Sequence, residues 1–229
     1  MKKTPFVLFI ALLLACLFSG CASVSTLQVP GTVPKGEVRY GLNVSATGGT
    51  GDADSSTDPN FEASFRWGIV DHFDLGLKIN LLGAQIGAKY QFLEGNFDLA
   101  LGLELGYQYV LVGGTEDPKT HLLAAQLPLL MEYHFNEYVG LAFGPKFLGV
   151  YAIQVEVRDD KDEIIPRTDI WGKSGFYAGF MLGLPLRLVH GMWIMPEINF
   201  YTSVVDEDKN IFNNFLWQAG VSVYFGSVN

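Results

Sequence analysis

Between Phe61 and Phe135 apolar residues recur at every second position, and this period constrains the fold more than any other feature. The segments read Phe61-Glu-Ala-Ser-Phe-Arg-Trp67, Phe73-Asp-Leu-Gly-Leu-Lys-Ile-Asn-Leu81 and Ile86-Gly-Ala-Lys-Tyr-Gln-Phe92. Phe97 to Tyr107 and Leu123 to Phe135 continue the pattern. Successive side chains of a strand point to opposite faces, so a period of two means strands with one apolar face. Beyond the leader no apolar run reaches the roughly 18 residues of a membrane helix. The net charge of −9 argues against nucleic acid, which needs a basic surface. The only cysteines are Cys16 and Cys21, so the folded part has no disulfide and no cysteine metal site.

The first twenty residues read as a signal peptide. Lys2 and Lys3 precede an apolar stretch from Pro5 to Phe18, too short and wrongly flanked to be a stable span. The sequence Leu17-Phe-Ser-Gly-Cys21 resembles the lipobox of bacterial lipoproteins, in which small residues precede a cysteine that becomes diacylated. Ser19, Gly20 and Cys21 fit it; Phe18 departs from it, because the family has Leu there. Leu13-Leu-Ala-Cys16 is a weaker match, and an ordinary cut near Ala22 or Ser23 is the alternative. The resemblance implies lipidation at Cys21, with palmitate-type chains. Ala22, where an inner-membrane lipoprotein would carry Asp, implies export to the outer membrane. Residues 21–35 hold Ser, Thr, Pro and Gly without a period and read as a periplasmic tether.

Residues 36–229 form the folded unit. Ten strands are expected, at 36–46, 60–70, 73–82, 84–93, 97–111, 121–135, 138–155, 174–189, 192–204 and 215–225. Asp71-His72, Glu94-Gly-Asn96, Asn136-Glu137 and His190-Gly191 are hairpin-length connections. Residues 47–59, 112–120, 156–173 and 205–214 are longer and acidic; the connection at Gly83 is the short exception. Short turns on one side and long loops on the other predict an all-β, up-and-down antiparallel transmembrane barrel. An even strand number puts both termini on the short-turn, periplasmic side.

The sign of the alternation separates a membrane barrel from a soluble one with an apolar interior. The apolar row is large, whereas the other row is rich in glycine, including Gly41, Gly76, Gly102, Gly140 and Gly179. A solvated outer face has no use for so many strand-weakening glycines. The large row is therefore expected to face lipid. Aromatics gather near strand ends, with Phe73, Tyr90, Tyr133, Tyr138 and Trp193 forming one belt and Tyr107, Phe176, Phe200 and Trp217 the other. Over residues 36–229 the chain resembles bacterial outer-membrane β-barrel proteins. The resemblance rests on the alternating strands, the unit Asp71-His-Phe-Asp-Leu-Gly-Leu77 and the aromatic last strand Trp217 to Phe225. It implies outer-membrane lipids and the barrel assembly machinery as partners.

The inward row then carries Glu37, Glu62, Asp74, Asp98, Glu104, Glu132 and Glu197 against Arg39, Arg66, Lys78, Lys89, Lys146 and Arg187. Both signs occur near one another, as in Glu62 with Arg66 and Asp74 with Lys78. Charges buried together are expected to pair, because an unpaired one costs several kcal/mol. A balanced lumen predicts a plugged barrel with an ion-pair network; a selective pore would show one sign. Ten strands lie between the eight that side chains fill and the sixteen that leave a channel, so a narrow channel is the alternative.

The excess acid belongs to the loops. Of 15 basic residues Lys2 and Lys3 lie in the leader, which leaves 13 against 24 acidic. The long connections could bind divalent cations or a basic partner. Asp52-Ala-Asp54-Ser-Ser-Thr-Asp58 starts like a calcium loop but lacks the glycine and closing glutamate. No catalytic constellation emerges. His72 and His190 sit in turns, His134 lies near Glu132 without a Ser or Cys nucleophile, and His121, Asp117 and Asp206-Glu-Asp208 do not match the spacing of outer-membrane proteases. The expectation is a non-enzymatic barrel with a structural or surface-interaction role, without cofactor or resident metal.

Overall fold

The structure, a computed structural model, describes residues 28–50, 58–80, 82–110, 119–158, 167–189, 191–206 and 215–226. Its strands are β1 (Val38–Thr50), β2 (Asp58–Val70), β3 (Phe73–Asn80), β4 (Gly83–Leu93), β5 (Phe97–Val110) and β6 (Lys119–His134). They continue with β7 (Gly140–Arg158), β8 (Arg167–Gly183), β9 (Leu186–Val189), β10 (Met192–Asp206) and β11 (Phe215–Gly226). From β1 to β8 each strand pairs antiparallel with the next, β8 and β9 both pair with β10, β10 pairs with β11, and β1 pairs with β11 from Arg39↔Gly226 to Thr50↔Phe215. That pairing closes the sheet and removes both edges.

The barrel has ten staves, because β8 and β9 form one stave interrupted at Leu184-Pro185. Proline offers no ladder N–H, so the ladder breaks there. The stave continues beyond the break: the Gly140 N–H donates to the Pro185 carbonyl at 3.0 Å and the Arg187 N–H to Tyr138 at 2.7 Å. The expected strand 174–189 thus exists but is broken by its own proline. Otherwise the strands match the expected order, and β7 and β8 reach further toward the long connections.

The alternation has the expected sign. In β4, Gln85 and Lys89 are 8% and 1% exposed, whereas Ile86 and Tyr90 are 61% and 47% exposed. The exposed row of Leu, Ile, Phe and Tyr runs round the outside. The inward glycines leave room for bulky neighbours. A Cβ on Gly76 would stand 2.7 Å from Nη1 of Arg66, and one on Gly140 would collide with the Glu132 carboxylate. Trp193 corrects the expected aromatic belt. It is 2% exposed and stacks inside on Tyr224, with ring centroids 4.4 Å apart. It shares parity with Met195 and Glu197, so the pleat points all three inward.

Residues 28–35 do not form a free tether. Gln28, Val29, Thr32 and Val33 are all but fully buried, inside the barrel. Gly36 turns the chain with a left-handed φ of 80°, and its N–H donates to the Gly68 carbonyl at 2.8 Å. From this turn at the short-turn end the segment runs back up the lumen. Gly68 is where it passes the wall: a Cβ there would collide with the Val33 and Pro34 carbonyls.

Candidate functional site: the barrel lumen

Eleven of the expected lumenal charges are buried inside the wall: Arg39, Glu62, Arg66, Asp74, Lys78, Lys89, Asp98, Glu104, Glu132, Lys146 and Glu197. Arg187 stands at the short-turn mouth with a quarter of its side chain exposed and donates to Glu132 Oε1 at 2.9 Å. Glu37 is not among them. It is exposed, because it lies in the turn before β1 begins and the pleat does not yet fix its direction. Without Glu37, six acids and six bases remain.

The partners are set across strands. Arg66 donates through Nε to Asp74 Oδ1 at 2.8 Å, and Lys78 Nζ to Glu104 Oε2 at 2.7 Å. Neither bond lies along a strand, where residues four apart are about 13 Å from each other; Arg66 and Asp74 stand on neighbouring staves, and Lys78 on β3 reaches Glu104 on β5 across β4. Asn43 Nδ2 donates to Glu62 at 3.1 Å, and Lys146 Nζ to Asn199 Oδ1 at 2.6 Å. Buried amides thus share the charged groups with the ion pairs.

Sequence reasoning missed the segment that this network holds. Asp74 Oδ2 accepts the Val33 N–H at 3.0 Å, while Gln91 Oε1 accepts the Thr32 N–H and hydroxyl, both at 3.0 Å. Lys89 Nζ donates to the carbonyls of Val29 and Gly31, both at 2.8 Å. Arg39 donates to the carbonyls of Gly31 at 3.3 Å and Thr32 at 3.3 Å. Gln28 reaches Glu104, deeper in the barrel. Val29 packs with Ala100, Leu130, Met181 and Trp193. A buried backbone without secondary structure needs such side-chain partners. The only sequence signal is two valines, Val29 and Val33, in an otherwise polar stretch.

Toward the long connections the lumen changes character. Leu122, Leu148, Val150, Tyr177, Tyr201 and Leu216 are buried together. Tyr201 accepts a hydrogen bond from Gln126 at 2.8 Å, and its ring lies 5.1 Å from Lys146 Nζ. Alternation alone does not single out this inner apolar layer, because its residues stand in the row that is otherwise glycine-rich and polar.

His134 is more connected than its sequence neighbour Glu132 suggests. Its Nε2 lies 2.9 Å from Asp98 Oδ2, and Arg187 donates to its Nδ1 at 3.3 Å. Its Nδ1 also lies 3.4 Å from Glu132 Oε1. Asp98, Glu132 and His134 lie within metal-ligand reach of one another, but Arg187 already supplies the positive charge there. His72 is a turn residue with φ 63°, facing Glu94 at 3.6 Å. His121 faces outward, its Nδ1 2.6 Å from the Tyr107 hydroxyl. Cys16, Cys21, Asp52, Asp54, Asp117, His190, Glu207, Asp208 and the acids from Asp159 to Glu163 lie outside the described residues.

No family model matches the chain, and no curated protein does. Among solved structures, neisserial surface protein A is similar at 7% identity and TM-score 0.45, over 82% of this chain and 95% of that one. Ail of Yersinia pestis is similar at 10% identity and TM-score 0.42, over 84% and 99%. The Pseudomonas putida toluene transporter TodX is similar at 11% identity and TM-score 0.35, over 91% and 73%. At these values the likeness carries no argument about function, and the reading below rests on the chain's own residues.

Proposed function

We propose that this chain is a non-enzymatic outer-membrane β-barrel with a closed lumen and a structural or surface-interaction role. The observation that carries this is the burial of residues 28–33 inside the barrel, hydrogen-bonded to Asp74, Lys89, Gln91 and Arg39. The outward apolar row suits a lipid environment, and the closed ladder leaves no edge unpaired in it. Charge pairs fill the middle, and the apolar layer round Tyr177 and Tyr201 narrows the far half. β1 begins and β11 ends at the short-turn end, which is the periplasmic one in this reading. The acid-rich long connections then form the face offered to basic partners or divalent cations.

Planar-bilayer recording tests the closed lumen. The intact, inserted protein is expected to be silent across salt and voltage; discrete, long-lived openings would favour a narrow channel for ions or small solutes. A diacylated Cys21 is part of the proposal. Six residues lie between it and Gln28. The mature protein's mass decides this: diacylglycerol on Cys21 upholds it, and a plain cut at Ala22 or Ser23 contradicts it.

A further inference from the structure

The ends of β5 and β6 bring three ligand-type side chains together at the short-turn mouth. Asp98 stands directly across from Glu132 in the β5–β6 register. His134 is two residues further along β6, so the pleat turns it to the same inward face. The ladder fixes the frame, and the His134 N–H closes it on the Asn96 carbonyl at 3.0 Å. His134 Nε2 is 2.9 Å from Asp98 Oδ2, and its Nδ1 is 3.4 Å from Glu132 Oε1. One ligand atom from each of the three lies within 4.8 Å of the other two. Ligands about 2.1 Å from a small cation stand about 3.0–3.4 Å apart, so the set needs only a small contraction. Gly140, paired with His134 across β6 and β7, gives the Glu132 carboxylate its place, since a Cβ there would collide with Oε1. The Glu132 side chain is 1% exposed, and Arg187 takes Oε1 alone. Glu132 Oε2 has no hydrogen-bond partner among the described residues, an arrangement that costs free energy in a buried carboxylate. His134 and Arg187 are part-exposed, so solvent meets the cluster directly.

We infer that Asp98, Glu132 and His134 form a binding site for a divalent transition-metal cation of the zinc type. Carboxylates alone suit calcium or magnesium, which take oxygen shells. An imidazole in the set selects a borderline cation such as zinc, and three protein ligands leave a place for water on the open side. Glu132 enters through Oε2. Arg187 holds Oε1 and so orients the carboxylate without filling the site, as an outer partner of a metal ligand does. The site is independent of the plug reading, and it lies at the opposite end of the barrel from the acid-rich long connections.

The test uses the full chain refolded in detergent, with Cys16→Ser and Cys21→Ser because thiolates also bind zinc. Zinc is titrated by calorimetry in excess calcium, which occupies sites made of oxygen alone. Circular dichroism checks that each variant is folded. The parent is expected to bind zinc. His134→Ala and, separately, Asp98→Asn are expected to weaken that binding at least about tenfold. His121→Ala and His72→Ala are expected to leave it unchanged. A folded parent that binds no zinc overturns the inference. So does binding that survives both His134→Ala and Asp98→Asn, or that His121→Ala removes instead. Where one of the two site variants does not fold, the other decides. Where neither folds, modification of His134 in the parent by diethylpyrocarbonate decides: slowing by zinc upholds the site, and an unchanged rate overturns it.

Discussion

The two halves of the lumen are filled by different means. At the short-turn end a separate piece of chain, residues 28–33, lies in the bore and is held by polar side chains of β1, β3 and β4. In the half near the long connections the wall fills its own bore with Leu122, Leu148, Val150, Tyr177, Tyr201 and Leu216. The first filling lies outside the wall's own ladder, joined to it by side-chain bonds and the single bridge of Lys35 to Gly68. The second is part of the wall, and emptying it leaves a cavity. In this barrel the inserted segment is held by polar bonds together with the packing of Val29, and the far half by apolar contacts of the wall alone.

Asp74→Asn is the strongest way to break that difference. It removes the negative charge from between Arg66 and Lys89 and leaves one acceptor oxygen where two serve Arg66 and the Val33 N–H. Leaving buried cations uncompensated costs about 3–5 kcal/mol. A lower denaturation midpoint together with faster maleimide labelling of Val29→Cys is expected. Leu148→Ala acts on the other half. It removes a buried side chain from the apolar layer and is expected to cost about 3 kcal/mol while leaving that labelling unchanged. Faster labelling in Leu148→Ala would show that the halves are coupled and that the contrast is false. Tyr201→Phe is milder. It deletes the acceptor of the Gln126 amide and is expected to cost about 1 kcal/mol in the same unfolding measurement. Glu94→Gln is the small-effect control, because its partner His72 is about as exposed as it is; a change within about 0.5 kcal/mol is expected.

The wall was legible in the sequence and the contents of the bore were not. Period-two alternation gives strand positions, and connection lengths give the up-and-down order. The glycine-rich row gives the sign of the faces, as Ile86 outside and Lys89 inside illustrate. Parity alone would have placed Trp193 inside with Glu197; its chemistry, suited to a membrane boundary, argued the other way. Partner choice was hidden, because Arg66 meets Asp74 through the register of two staves and not through spacing along one. The segment 28–35 was hidden for a different reason. It has no period, since none of its backbone enters a ladder beyond the single bridge of Lys35 to Gly68. Its place is set by the side chains that receive it, which are spread from Arg39 to Glu104.

Rate-resolved maleimide labelling of Val29→Cys, against Glu137→Cys on an exposed short turn, tests the central claim most directly. A seated segment predicts labelling at least about 100-fold slower at position 29, because the bore must first release it. Comparable rates at the two positions would contradict the account.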